Sequence, residues 1–188
     1  MDLFIAVPAL ILVAPLLVLL ALLVRLDSTG SVLFRQKRLG HRGRPFAILK
    51  LRTMTVLEDG AAVVQAQRDD ARTTRIGRWL RALSLDELPQ LLNVIKGEMS
   101  LVGPRPHALV HDLHYARLIA NYQRRQDVKP GITGWAQING LRGATPTVEV
   151  MSRRVDFDVW YANHASLALD LKILFRTPFE VFRRRNAY

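Results

Sequence analysis

The spacing of apolar residues changes several times along the chain, and each change marks an element. From residue 3 to residue 24 there is no charged side chain. At ~1.5 Å per residue a helix of that length reaches about 33 Å, enough for a bilayer core of about 30 Å. Residues 1–26 are therefore read as a membrane-inserted helix and 27–188 as a membrane-associated body, the two forming one functional unit. The run is longer than the apolar region of a secretion signal, and no basic stretch leads into it. Pro15, near its midpoint, removes a helix hydrogen bond and crowds the preceding turn, so a kink or re-entrant hairpin stands beside a straight span. Arg25, Arg35, Lys37, Arg38, Arg42 and Arg44 follow at once, and the positive-inside rule puts the remainder in the cytoplasm.

Residues 31–54 read as a hairpin, with apolar runs at Val32, Leu33, Phe34 and at Phe46, Ile48, Leu49 on either side of a turn from Gly40 to Gly43. The pattern weakens over residues 56–73, which suggests a loop around a short helix. Ile76, Trp79, Leu80 and Leu83 mark a short amphipathic helix carrying Arg75, Arg78 and Arg81. Leu88, Leu91, Leu92 and Ile95 then recur at helical spacing until Gly97, and a short apolar strand follows at Leu101 and Val102. Residues 107–125 read as one helix, 130–134 as a turn, Trp135 to Ile138 as an alternating strand, and 147–161 as a helix. The tail, 166–185, sets Phe175, Phe179 and Phe182 among arginines, an interfacial amphipathic pattern. The fold class is α/β, mostly helical with a small sheet.

Composition adds a partner. Lys plus Arg number 27 against 16 for Asp plus Glu, a net charge of +11, which implies an anion: nucleic acid, phospholipid head groups or a phosphorylated small molecule. The absence of cysteine removes disulfides and thiolate metal sites. No nucleic-acid fold motif is present, so nucleic acid is not among the expected partners. His107, His111 and His114 have helical spacing, but no accompanying acid completes a zinc motif, so they are read as packing or polar-face residues.

The chemistry concentrates at Ser84-Leu85-Asp86-Glu87 and at Pro104-Arg105-Pro106. Ser84 with Glu87 has the spacing of a capping box, and two acids suit the positive end of a helix. The same geometry suits a reaction. A helix start favours an ionised Asp86 as a nucleophile beside an anion. Glu87 could help hold a divalent cation shared with a diphosphate, and Arg105 could present a fixed fork to phosphate oxygens. Lys50 and Arg52, directly after an apolar strand, are further candidates for substrate binding, as are Arg78, Arg81 and Gln137.

The blocks PFAILKLRTM, TRIGRWLRALSLDELPQLLNVIKGEMSLVGPRP and VKPGITGWAQING resemble the bacterial sugar transferase family, the monotopic polyprenyl-phosphate phosphoglycosyl transferases. PRPHALVHDLHY, INGLRGATPTVE and ALDLKILFRTPF are similar to the branch that starts exopolysaccharides with glucose 1-phosphate. The resemblance implies transfer of a sugar 1-phosphate from a UDP-sugar to undecaprenyl phosphate, with release of UMP, at the cytoplasmic face of a bacterial inner membrane. It implies that Asp86 forms a covalent phosphosugar intermediate and that Glu87 is its partner at a Mg2+ site. It also implies that Lys50 and Asp158 match residues needed for activity, and that the first helix enters and leaves one face of the membrane lipid, broken at Pro15. Galactose 1-phosphate or N-acetylhexosamine 1-phosphate are the alternative donors' groups. A membrane-anchored basic binding module is the alternative outside enzymology, and a homodimer is left open.

Overall fold

The computed structural model describes residues 1–55 and 70–182; most of the loop expected over 56–73 lies outside the described residues. The order is α1 (Asp2–Asp27), β1 (Leu33–Leu39), β2 (Pro45–Leu51), α2 (Arg75–Ala82), α3 (Gln90–Ile95), β3 (Ser100–Val102), α4 (Leu109–Leu118), β4 (Gly131–Thr133), α5 (Trp135–Ile138), α6 (Val148–His164) and α7 (Leu167–Phe182). The fold is mostly helical, with two small two-stranded sheets among the described residues.

Helix α1 is apolar all round, so composition assigns it no inner face. Packing does: Ala6, Leu20 and Val24 are buried, and Ile5, Ala9, Leu10 and Val13 lean on the same core. Phe4, Leu12 and Leu26 stay more than 80% exposed on the other side. Pro8 and Pro15 sit within one continuous helix, both on the exposed face. Asp2 and Asp27 are about seven turns apart and so fall on one side of the helix. Both use that side. Asp2 Oδ1 accepts from Ser100 Oγ at 3.1 Å and Leu101 N at 3.3 Å, and Asp27 Oδ2 accepts from Ile76 N at 3.0 Å.

The expected hairpin is present. β1 and β2 pair antiparallel, with Leu33 opposite Leu51 and Leu39 opposite Pro45, joined by a 3-10 turn in which Arg42 and Gly43 have positive φ. The inner edge of β2 is fixed by one buried side chain: Asn93 Oδ1 accepts from Leu49 N at 3.0 Å, and its Nδ2 donates to Ala47 O at 2.8 Å. That bond pair sets α3 against β2. It replaces the backbone partner that a third strand would have supplied.

Three expectations are corrected. Trp135–Ile138 is helix α5 rather than a strand, and the strand is Gly131–Thr133, within the expected turn. β4 runs parallel to β3, with Ser100 opposite Gly131. A Cβ on Gly131 would stand 2.1 Å from Gly103 N, so the pairing needs glycine there. Second, the helix expected over 107–125 breaks: α4 ends at Leu118, Ile119 is extended, and Asn121 at φ 62° leads into a 3-10 turn, Tyr122–Gln126. Third, Ser84 is not a cap. It has φ 58° and makes no capping bond, and Glu87 belongs to a 3-10 turn, Leu85–Glu87, one turn before α3. The helices at Thr74 and Thr147 do have side-chain caps, to Gly77 N and Val150 N.

Arg52, expected at the substrate, is committed to the fold. The residue is 2% exposed, and its guanidinium donates to Ser31 O at 2.6 Å, Ser28 O at 2.5 Å and Val24 O at 3.3 Å. These carbonyls close the C-terminal end of α1, where a cation also suits the helix dipole. Arg52→Met should lower unfolding stability by about 3 kcal/mol, since three buried acceptors lose a charged donor. Thermal melting in detergent measures the loss, and hydrogen exchange should quicken in the last turn of α1.

Candidate active site

Three segments converge on Glu87. β2 delivers Lys50, whose Nζ donates to Oε1 at 2.7 Å. The loop after β3 delivers Arg105, which grips the same carboxylate with both nitrogens, at 2.5 Å to Oε1 and 3.1 Å to Oε2. The turn Leu85–Glu87 presents the acid itself. Burial alone would push Glu87 upward, but the charges and hydrogen bonds of Arg105 and Lys50 overcome this and hold it well below the usual carboxylate range. Lys50 shifts down, because burial outweighs the attraction of Glu87.

Asp86 is left over. It is 7% exposed and, among the described residues, accepts no hydrogen bond and forms no ion pair. Burial raises its pKa to about 6, with Lys50 opposing and the charge of Glu87 adding to the rise. Arg105 and Arg81 also act on it at longer range. A carboxylate stripped of partners is more nucleophilic than a solvated one, and at neutral pH it remains ionised.

A second layer holds the arginine loop. Arg125 is buried and donates to Asp158 Oδ2 at 2.8 and 3.1 Å, and to the Arg105 carbonyl at 2.5 Å. Its Nη1 stands 2.8 Å from His107 Nδ1. Tyr122 OH is 2.6 Å from that same nitrogen and donates to Asp112 Oδ1 at 2.7 Å. Burial and then the positive charge of Arg125 push His107 well below its usual range, so it is neutral. Asp158, expected to bind substrate, therefore touches Arg125 and acts on the site through the Arg105 backbone. Its carboxyl is raised by burial, against the pull of Arg125.

Of the other expected residues, Gln137 joins the site, lining a cleft with Glu87. Its Oε1 is buried without a partner. Arg78 is exposed on the outer face of α2 and is not brought to the acids. Sequence reasoning missed Arg142, whose Nη2 donates to Ser84 Oγ and whose Nη1 is buried with no acceptor. It also missed Arg125. Arg142 stood in the block INGLRGATPTVE, two residues after Gly140, whose positive φ turns the chain; Arg125 had no signal beyond its charge.

For a divalent cation the donor set is small. Among the described residues no group of three or more His, Asp or Glu could hold a metal. Mg2+ is commonly held by one or two carboxylates together with substrate phosphates, and Asp86 with Glu87 fits that pattern. Asp86 has open lone pairs, whereas Glu87 becomes a ligand only where Lys50 or Arg105 turns to phosphate.

The profile described as bacterial sugar transferase matches residues 1–184. A UDP-glucose:undecaprenyl-phosphate glucose-1-phosphate transferase of Caulobacter vibrioides is 57% identical over 93% of this chain and 66% of its own length. The protein of that name in Escherichia coli is 50% identical over 100% of this chain and 40% of its own length. The chain thus spans two-thirds or less of those relatives. An exopolysaccharide production protein of Rhizobium leguminosarum is 43% identical over 100% of this chain and 96% of its own length.

The two aspartates should respond oppositely to neutralisation. Asp86→Asn removes a buried charge that folding disfavours, and should raise stability at pH 7 by on the order of 1–3 kcal/mol. Asp158→Asn takes from Arg125 the nearer of its two carboxylate partners and should cost about 3 kcal/mol. Chemical denaturation of both variants beside the parent protein measures the two shifts.

Proposed function

The chain belongs to the bacterial sugar transferase family, and from that premise we propose that it moves glucose 1-phosphate from UDP-glucose to undecaprenyl phosphate, releasing UMP and starting an exopolysaccharide or related glycoconjugate. The observation that carries the reading is the unequal treatment of two adjacent acids: Glu87 takes both nearby cations, and Asp86 is left buried, ionisable and unpaired. Glucose is favoured as the sugar because the relatives at 57% and 50% identity bear that name.

In this reading Asp86 attacks the phosphorus that bears the sugar. The bond from that phosphorus to the oxygen of UMP breaks, and UMP leaves with the electron pair. A phosphate oxygen of the lipid then attacks the same phosphorus and expels the Asp86 carboxylate, giving the diphosphate-linked sugar lipid. Both displacements need positioning and charge neutralisation more than covalent chemistry from the protein. Lys50 and Arg105 supply the charge: Glu87 aligns both before substrate binds, one of them turns to phosphate, and Arg125 anchors the Arg105 backbone. Mg2+, held at Asp86 and Glu87 with the diphosphate, would neutralise the leaving phosphate.

The reading includes a membrane position. Both ends of α1 are hydrogen-bonded to the body, through Asp2 and Asp27, which supports a helix whose two ends lie on one side of the membrane. A straight crossing would carry one end away from the body by the thickness of the bilayer. Helix α7 adds an exposed stripe, Leu167, Leu171, Phe175 and Phe179, suited to lying in the lipid interface. The cluster of basic residues after α1 favours the cytoplasmic leaflet.

Purified protein with Mg2+, undecaprenyl phosphate and a panel of UDP-sugars should release UMP with UDP-glucose, and Asp86→Asn should reduce release at least a thousandfold. No release with any sugar would overturn the assignment. The value of kcat/KM for the donor should fall as pH drops through about 6, because protonation removes the nucleophile. For the membrane position, cysteines placed at residues 1 and 26 should react with an impermeant reagent from the same side. Labelling from opposite sides would establish a span.

A further inference from the structure

A cleft of about 630 Å³, its open mouth included, runs from the acid pair to helix α7. Glu87, Ser84 and Arg142 line it beside the acid pair, and Thr177, Glu180 and Val181 line it from α7. Between them its walls are Leu88, Leu91, Ile132 and Ile138. The lining selects the kind of ligand that the cleft admits. The two threonine hydroxyls are used up: Thr177 Oγ1 donates to Ile173 O at 2.8 Å, and Thr133 Oγ1 stands 2.8 Å from Thr177 Oγ1. Among the described residues, Gln137 Oε1 is the buried acceptor there without a partner. A hexose and a ribose, with several hydroxyls each, would place much of their polar surface against the apolar walls. A hydrocarbon chain loses nothing on entering.

We propose that this cleft between α3 and α7 receives the first isoprenyl units of the lipid acceptor, with the lipid phosphate at Arg142. Three features combine. The apolar walls take the chain. The buried Nη1 of Arg142 has no acceptor, and Arg142 lines the cleft with Glu87, so a phosphate there meets an unused charged donor beside the acids. The α7 side belongs to the helix whose Leu167, Leu171, Phe175 and Phe179 face outward, so the remainder of a long polyprenyl chain passes from protein into lipid without crossing water. The UDP-sugar would then approach the acids from another side, over Lys50 and Arg105. This assignment rests on the proposed transfer reaction for the identity of the lipid, but the cleft can be tested without turnover.

The probe is a farnesyl-length phosphate with a diazirine at its tail, photolysed with the wild-type protein in nanodiscs and mapped by peptide mass spectrometry. Labelling should fall on the α3 and α7 segments that line the cleft, be suppressed by undecaprenyl phosphate, and persist with UDP-glucose present. Val181→Trp, which fills the cleft from α7, should raise the KM for undecaprenyl phosphate about tenfold and that for UDP-glucose by less than twofold, with thermal unfolding confirming that the variant is folded. Arg142→Met should weaken the phosphate probe more than a farnesol probe of the same length. Label on other segments, suppression by UDP-glucose, or an equal rise in both KM values in Val181→Trp would overturn the proposal. Cleft labelling by a protein that releases no UMP would uphold the site while sinking the transfer reaction.

Discussion

The carboxylate of Glu87 is the point on which the corner depends. It draws Lys50 from β2 and Arg105 from the loop after β3 onto one group, so a strand, a turn and a loop far apart in sequence share one buried charge centre. Such a cluster would be costly to desolvate if any member lacked its partner. The consequence falls on the adjacent residue. Asp86 is equally removed from water but receives no hydrogen bond, and its proton affinity rises accordingly. Two like side chains next to each other in sequence are thus driven to opposite protonation behaviour, the usual mark of divided roles in a site.

Behind this pair the structure is layered to keep the arginine fork from drifting. Arg125 bonds the backbone carbonyl of Arg105 and is itself neutralised by Asp158, while Tyr122, His107 and Asp112 complete the buried network. A guanidinium used in this way acts as a cross-brace rather than as a reagent. Removing it would move the Pro104-Arg105-Pro106 loop, and with it the geometry that a phosphoryl transfer requires. At the other side, α1 forms the wall of two hydrophobic clusters. The helix of membrane length is therefore part of the body's core.

Much of this was legible before any coordinates. The uncharged run gave α1, the apolar runs about Gly40 to Gly43 gave the hairpin, and Thr147 with the pattern after it gave α6. Lys50, Asp86, Glu87 and Arg105 were all singled out, and they meet. What misled was local pattern where tertiary demand was stronger. Ser84 and Glu87 have capping spacing, yet each has another use: Ser84 is held by Arg142, and Glu87 binds two cations more strongly than it would bind one backbone N–H. Trp135 to Ile138 alternates like a strand but coils, because the parallel partner of β3 is the preceding segment, where Gly131 allows the backbones to meet. Arg52 has the same strand parity as Lys50, but it lies one residue beyond the end of β2 and its guanidinium is taken by the carbonyls of Ser31, Ser28 and Val24 rather than by Glu87.

The sequence by itself determined what rests on local spacing and composition: a helix of membrane length, a hairpin, two adjacent acids, and the excess of positive charge. It also determined that Asp2 and Asp27 share a helix face, because about seven turns of 3.6 residues separate them. The tertiary structure alone decided which charges find which. Among 27 Lys and Arg residues, only folding makes Lys50 and Arg105 partners of Glu87, Arg52 a cap, Arg125 a brace, and the Nη1 of Arg142 a donor left without an acceptor. The physical reason is range. Backbone periodicity acts over three or four residues, whereas a charge is satisfied by whatever burial brings within about 3 Å, and that is set by packing across the whole chain.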